Sequence, residues 1–319
     1  MTEPEVPKHN AVDASLYNSL MNWVLFAFLS ALLLGFYDVF KKQSLKDNAV
    51  IPVLFLNTLF STLLLLPFIV LSQCDVIATG SLFYVPSAGW GVHGYIILKA
   101  ALVLSSWVFG YFGMKNLPIN IVGPINATRP VMVLVGAMLI FGERLNLYQW
   151  TGVLLAIVSF FLLSRSGKKE GIDFKHNKWI IFVVLAALLG ALSGLYDKYL
   201  MHRFPVMLVQ SWCSIYQCLM MAGVLWILWM PQREKSTPFT WRWGILLISL
   251  FLSAADFVYF YALGCDGSMV SIVSMIRRSS VLVSFACGAL FFHEKNLKSK
   301  AVDLILVLIG MFFLYLGSK

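Results

Sequence analysis

A chain of 319 residues with 60% hydrophobic side chains, 12% charged side chains and a mean hydropathy of +0.82 is too apolar for a soluble domain, since soluble domains carry about half apolar and about a quarter charged residues. Apolar runs of about 20 residues follow one another, so the bilayer is the solvent and a soluble globule is excluded. The net charge of +9 rests on 24 Lys and Arg scattered over short segments between the runs, which reads as orientation signals and argues against nucleic-acid binding.

In chain order, residues 1–21 form a polar tail with Glu3, Glu5, Lys8 and Asp13. The tail lacks the basic opening of a secretory signal, so the first span is expected to be retained. Apolar segments fall at about 22–40, 50–72, 94–116, 119–141 and 148–164, each near the ~20 residues that cross a bilayer. Residues 166–177, with Lys168, Lys169, Glu170, Asp173 and Lys175, are the most charged stretch and read as a linker. A second set of segments follows at about 178–200, 206–230, 241–264, 269–292 and 300–317. The expectation is an all-α membrane protein of ten transmembrane helices, with one five-helix unit over 22–165 and a second over 178–317.

The two units echo each other. Gly35-Phe36-Tyr37-Asp38 closes the first span, and Gly194-Leu195-Tyr196-Asp197 closes the sixth, 159 positions later. Phe141-Gly142-Glu143-Arg144 precedes the fifth span, and Phe292-His293-Glu294-Lys295 precedes the tenth, 151 positions later. Because five is odd, the second unit enters from the opposite side, so the units read as inverted repeats, the arrangement of alternating-access transporters. Pro130, the apolar stretch running to Gly142-Glu143-Arg144-Leu145, and then Gln149 and Gly152 carry a likeness to a known family. Over about residues 22–317 the chain resembles the drug/metabolite transporter superfamily, in its ten-helix EamA-type branch. In the second half Glu294 keeps the acid, while Val281 and His293 stand in place of the proline and the glycine. The resemblance implies a secondary transporter, often an exporter, with a central cavity between the repeats and both termini in the cytoplasm.

Ionisable groups at membrane depth cost a few kcal/mol on insertion scales, so each is a functional candidate. Lys99, Arg129, Arg277 and Arg278 are the embedded cations and Asp256 the clearest embedded acid, while Asp38, Asp197 and Asp303 lie nearer span ends. Span two offers Asn57 and Ser61 one turn apart, and span seven offers Gln210, Ser214 and Gln217 within about 60° on one face. These groups bind substrate or bond helix to helix. In span four, Pro124 and Pro130 remove two backbone donors, so the helix is expected to open beside Asn126, Thr128 and Arg129. In span nine, Ser268, Ser271, Ser274 and Arg278 share one face, and Arg277, Ser280 and Ser284 share another. One of these arginines is therefore expected on the cavity and the other paired with an acid, Asp256 being the first candidate. Trp107, Tyr111, Tyr259 and Tyr261 wall the cavity or simply pack. Tyr37-Asp38 and Tyr196-Asp197 are expected at opposite ends, as alternating gates or interfacial anchors. Glu143 and Glu294 suit the N-termini of the helices they precede, and Gly190 with Gly194 suits close helix packing or dimerisation.

Loops after odd spans hold 15 of the Lys and Arg, and termini and loops after even spans hold five. The positive-inside rule then puts the odd loops in the cytoplasm and both termini outside, opposite to what the resemblance implies. There is no G-x-x-x-x-G-K-[ST] loop to hydrolyse ATP, and neither H-E-x-x-H nor G-x-S-x-G to support an intramembrane enzyme. The five cysteines lack C-x-x-C spacing, so no disulfide framework, metal or cofactor is expected. The embedded excess of cations points to a small polar substrate bearing a carboxylate, amino acids and organic acids fitting; flipping of a lipid or lipid-linked sugar is the alternative. Protons passing through Asp256 or a terminal Asp, or substrate exchange, supply the drive. The expected setting is a monomer or homodimer in a lipid bilayer, multi-pass, in a bacterial inner membrane.

Overall fold

The computed structural model describes residues 9–116, 125, 128–165, 178–280, 283 and 297–317, and all regular structure among them is helical. Helix α1 spans His9–Leu45, α2 Val50–Gln73, α3 Trp90–Asn116, α4 Arg129–Ile140 and α5 Leu147–Arg165. Helix α6 spans Lys178–Met201, α7 Val206–Val224, α8 Gly244–Gly264, α9 Val270–Arg278 and α10 Leu297–Gly317. Among the described residues six stretches are long and apolar enough to cross a membrane: Trp23–Leu45, Val50–Gln73, Trp90–Gly110, Lys178–Met201, Val206–Gln232 and Gly244–Gly264. Arg129–Ile140, Leu147–Val158 and Leu308–Gly317 are shorter apolar helices. Pro124, Asn126, the 166–177 linker, Ser284, His293 and Glu294 lie outside the described residues.

Two elements run further than expected. Helix α1 begins at His9, inside the stretch assigned to the polar tail, because no proline or glycine between His9 and Asn22 stops it. It also continues to Leu45, which brings Lys41 into the helix rather than a loop. Beyond Val224, α7 loosens into a π turn at Leu225–Trp229 and a 3₁₀ turn at Met230–Gln232, where Pro231 cannot continue an α-helix.

The helices pack in pairs drawn from the two halves. Helix α1 lies against α8, α3 against α6, α2 against α7 and α5 against α10. Helix α4 meets α6, α1 meets α9, α3 meets α7 and α2 meets α8. Hydroxyls tie the first two pairs, with Ser30 Oγ donating to Ala255 O at 2.7 Å and Ser106 Oγ donating to Ala186 O at 2.8 Å. Small residues allow the α5–α10 contact, since a Cβ on Gly152 would sit 2.6 Å from the Gly310 carbonyl oxygen. A continuous core of Trp23, Leu134, Val153, Leu200, Leu263, Ile272 and Leu314 fills one end of the bundle. It draws on the C-terminal parts of α4, α6 and α8, so that end is solid, while a smaller cluster of Tyr37, Val53, Ile245, Ile248 and Leu252 packs toward the other end.

Candidate functional site

A cavity of about 360 Å³ lies among α1, α2, α3, α4, α6, α7, α8 and α9, within the size range of metabolite sites. Lys41, Lys99, Arg129, Arg277 and Arg278 line it against Asp38, Asp197 and Asp256. Among the described residues five cations face three acids, so the cationic excess read from the spans is gathered at one place. Among the described residues none of α5 or α10 lines it, and these two helices pack on each other.

The charges are partly satisfied in pairs. Lys99 donates to Asp197 in a buried ion pair, their side chains 3% and 9% exposed, and its ammonium lies 4.6 Å from the centre of the Phe260 ring. Arg277 donates to Asp256, and its guanidinium carbon sits 4.1 Å from the centre of the Tyr259 ring, a cation–π contact that holds the plane in place. Arg278, one residue on, lines the cavity within electrostatic reach of Asp38. Arg129, at the start of α4, donates through Nη2 to Gly190 O at 2.7 Å. A Cβ at Gly190 would lie 2.8 Å from Arg129 Nε, so this glycine makes room for a guanidinium. The Gly190-x-x-x-Gly194 stripe therefore borders the cavity and lies against Arg129 and Val133 of α4.

Of the remaining candidates, Trp107, Gln210, Gln217, Tyr259, Tyr37 and Asp38 also line the cavity. Asn57, Ser61 and Ser214 join them from α2 and α7. Tyr196 does not: its hydroxyl donates to Tyr95 O at 3.2 Å, and its ring stacks on Tyr199 at 5.8 Å. Tyr261 packs edge-on against Phe26 away from the site.

The serine face of span nine is divided. Ser274 and Arg278 reach the cavity, while Ser268 and Ser271 are held at the solid end. Glu143 accepts the Val270 N–H at 2.6 Å, the Ser271 N–H at 3.3 Å and the Ser271 hydroxyl. It caps α9 of the other half, and not α5, the helix it precedes. The positive φ of 64° at Gly142 turns the chain there, and the open N–H groups of α9 attract the carboxylate as any helix N-terminus would. Beside it, Lys198 is 4% exposed and donates to Leu263 O at 3.2 Å, to Ser268 O at 2.5 Å and to Ser268 Oγ. Lys198, counted among the loop charges, is a buried clamp on the end of α8.

Sequence reasoning did not select Lys41, Gly190 or Glu143 for these positions. Lys41 looked like a loop cation, and a small-residue stripe does not announce whether it faces a helix or a guanidinium.

The model of the EamA-like transporter family matches residues 21–165 and 177–316. An uncharacterized transporter of Archaeoglobus fulgidus is 22% identical over 298 residues, covering 92% of this chain and 98% of its own length. An S-adenosylmethionine uptake transporter of Rickettsia prowazekii is 20% identical over 300 residues, covering 94% of each. A solved crystal structure shares the fold with a TM-score of 0.69 at 14% identity, over 91% of this chain and 95% of its own.

Proposed function

We propose that this chain, which belongs to the EamA-like transporter family within the drug/metabolite transporter superfamily, carries small polar metabolites bearing a carboxylate across the cell membrane by alternating access. The architecture proposed for this is ten spans in two inverted five-helix repeats, over 22–165 and 178–317. The helix pairing supports it, because advancing or retreating each helix by five turns α1–α8 into α6–α3, α4–α6 into α9–α1 and α3–α7 into α8–α2.

The observation that carries the substrate class is the cationic excess in the cavity. Asp197 and Asp256 neutralise Lys99 and Arg277, which leaves Arg129 and Arg278 facing Asp38 among the described cavity residues. A guanidinium at such a site suits a planar carboxylate that it can grip through two N–H groups. The Rickettsia relative is named for a substrate that itself carries an amino-acid carboxylate, which supports the same class. Tyr37-Asp38 and Asp197 act as the closing elements at the two ends, Asp256 is the proton-coupling candidate, and export is the direction taken.

A thermal-shift screen of the purified protein against amino acids, organic acids and cationic drugs tests the class. Carboxylates are expected to stabilise it, and stabilisation by cationic compounds alone contradicts the reading. Arg129→Gln is expected to weaken carboxylate binding by about 1.5–3 kcal/mol, the size of a hydrogen bond to a charged group. Proteoliposomes preloaded with the best ligand read direction and coupling, with efflux driven by an opposing proton gradient as the expected result.

A further inference from the structure

The wall of the cavity formed by α2 and α7 differs in kind from the arginine wall of α4 and α9. Asn57, Thr58, Ser61, Gln210, Ser214 and Gln217 line it and none carries a formal charge. Two of its hydroxyls are occupied by their own helices, Thr58 Oγ1 donating to Phe55 O at 2.8 Å and Ser214 Oγ donating to Gln210 O at 3.0 Å. The carboxamides are not. Asn57 is 1% exposed, and neither its Oδ1 nor its Nδ2 has a hydrogen-bond partner. Gln210, 4% exposed, gives its Nε2 to Ser253 O at 2.7 Å and leaves Oε1 unmet. Among the described residues with unmet buried side-chain atoms, these are the two that border the cavity.

A buried carboxamide without partners destabilises a fold, and native structures keep few of them. Leucine has almost the same shape as asparagine and would suit an apolar span better. Tying α2 to α7 does not account for Asn57, because Thr62 Oγ1 already makes that bond, to Ser214 O at 2.9 Å. What remains is recognition of something in the cavity.

We infer that Asn57 and Gln210 bind the uncharged, hydrogen-bonding end of the substrate. Asn57 offers one acceptor and one donor group side by side, which pairs with a group that both donates and accepts, such as a carboxamide or an amino-heterocycle. Gln210 offers an acceptor to a further N–H or O–H. The transported compound then has two ends: a carboxylate toward Arg129 and Arg278, and a neutral polar head toward α2 and α7. The inference rests on the carboxylate reading above and adds the head group that selects among carboxylates.

Succinamate and 4-methylpentanoate test it, since they share a carboxylate and a two-carbon spacer and differ in a carboxamide against an isopropyl group of similar shape. Binding of each to the purified protein is measured by thermal shift and by competition against a carboxylate ligand already shown to bind. The wild type is expected to prefer succinamate by about tenfold or more, as sites built to bond a polar group reject analogues that lack it. Asn57→Leu is expected to abolish the preference while the unliganded protein melts at the same temperature or higher, and Gln210→Met to reduce it. Equal binding of the two acids by the wild type, or a preference unchanged in both variants, overturns the inference and leaves the carboxylate reading standing. A preference kept in Asn57→Leu together with a melting temperature lowered by several degrees assigns Asn57 a structural role and also overturns it. If no carboxylate binds the wild type at all, the carboxylate reading fails and the two-ended site falls with it.

Discussion

The Tyr-Asp motif occurs once in each half, and its two copies sit in opposite surroundings. Asp197 is buried, paired with Lys99 against the Phe260 ring, and its neighbour Tyr196 points away to the Tyr95 carbonyl. Asp38 is half-buried, accepts a long 3.4 Å bond from Ser280 Oγ, and has Tyr37 beside it on the cavity with Lys41 5.2 Å from the centre of that ring. Both carboxylates line the same cavity, Asp197 on the side of the solid core and Asp38 beside the smaller cluster that holds Tyr37. The same motif thus places a buried, paired acid in one half and a half-buried acid in the other, with the burial of the tyrosines reversed, Tyr37 being only 8% exposed. The identity of the motif does not decide its environment; the neighbouring helices do.

The sharpest way to break this contrast is Lys99→Met. It leaves the Asp197 carboxylate buried without its partner, and a loss of about 3–5 kcal/mol is expected, read as a large fall in thermal stability. Adding Asp197→Asn to that variant is expected to restore most of it; no recovery would show that Lys99 acts through something other than the ion pair. Glu143→Ala comes next, because it strips three hydrogen bonds from the start of α9. About 1.5–3 kcal/mol is expected from bonds to a charged acceptor, together with increased labelling of a cysteine placed at Met269. Smallest in stability is Asp38→Asn, at under about 1 kcal/mol for a half-exposed group. Its effect is expected instead in access: the cavity should shift its balance between the two sides, read by cysteine labelling from each face. Unchanged labelling in both Asp38→Asn and Asp197→Asn ends the gate interpretation.

Much of the fold was legible because a bilayer imposes a length. Runs near 20 apolar residues marked α2, α3, α5, α6, α8 and α10 to within a few positions, whereas α4 and α9 are described only over Arg129–Ile140 and Val270–Arg278, and α1 continues through a polar sequence that nothing interrupts. The cavity charges were legible for a related reason: Lys99, Arg129, Asp256, Arg277 and Arg278 stood out against an apolar background. The two faces of span nine followed from helical periodicity. What the sequence withheld was partnership across long separations. Glu143 meets Val270, 127 positions away, and any helix N-terminus would have satisfied it equally. Lys198 follows Asp197 and looks interfacial, yet α6 carries it into contact with the end of α8. Asn57 was visible as an amide in a span, but only its unmet atoms distinguish a binding group from a helix fastener.

The cap on α9 has a mechanical consequence. Arg278 lies eight positions beyond the Glu143 clasp at Val270, at the end of a rigid rod about 12 Å long. The clasp belongs to one half of the chain and the rod to the other, so one end of the rod is pinned across the halves while Arg277, at the far end, is tied to Asp256 of its own half. A rotation of a few degrees about the clasp would displace the guanidinium groups by about 1 Å, set by the length of the rod alone.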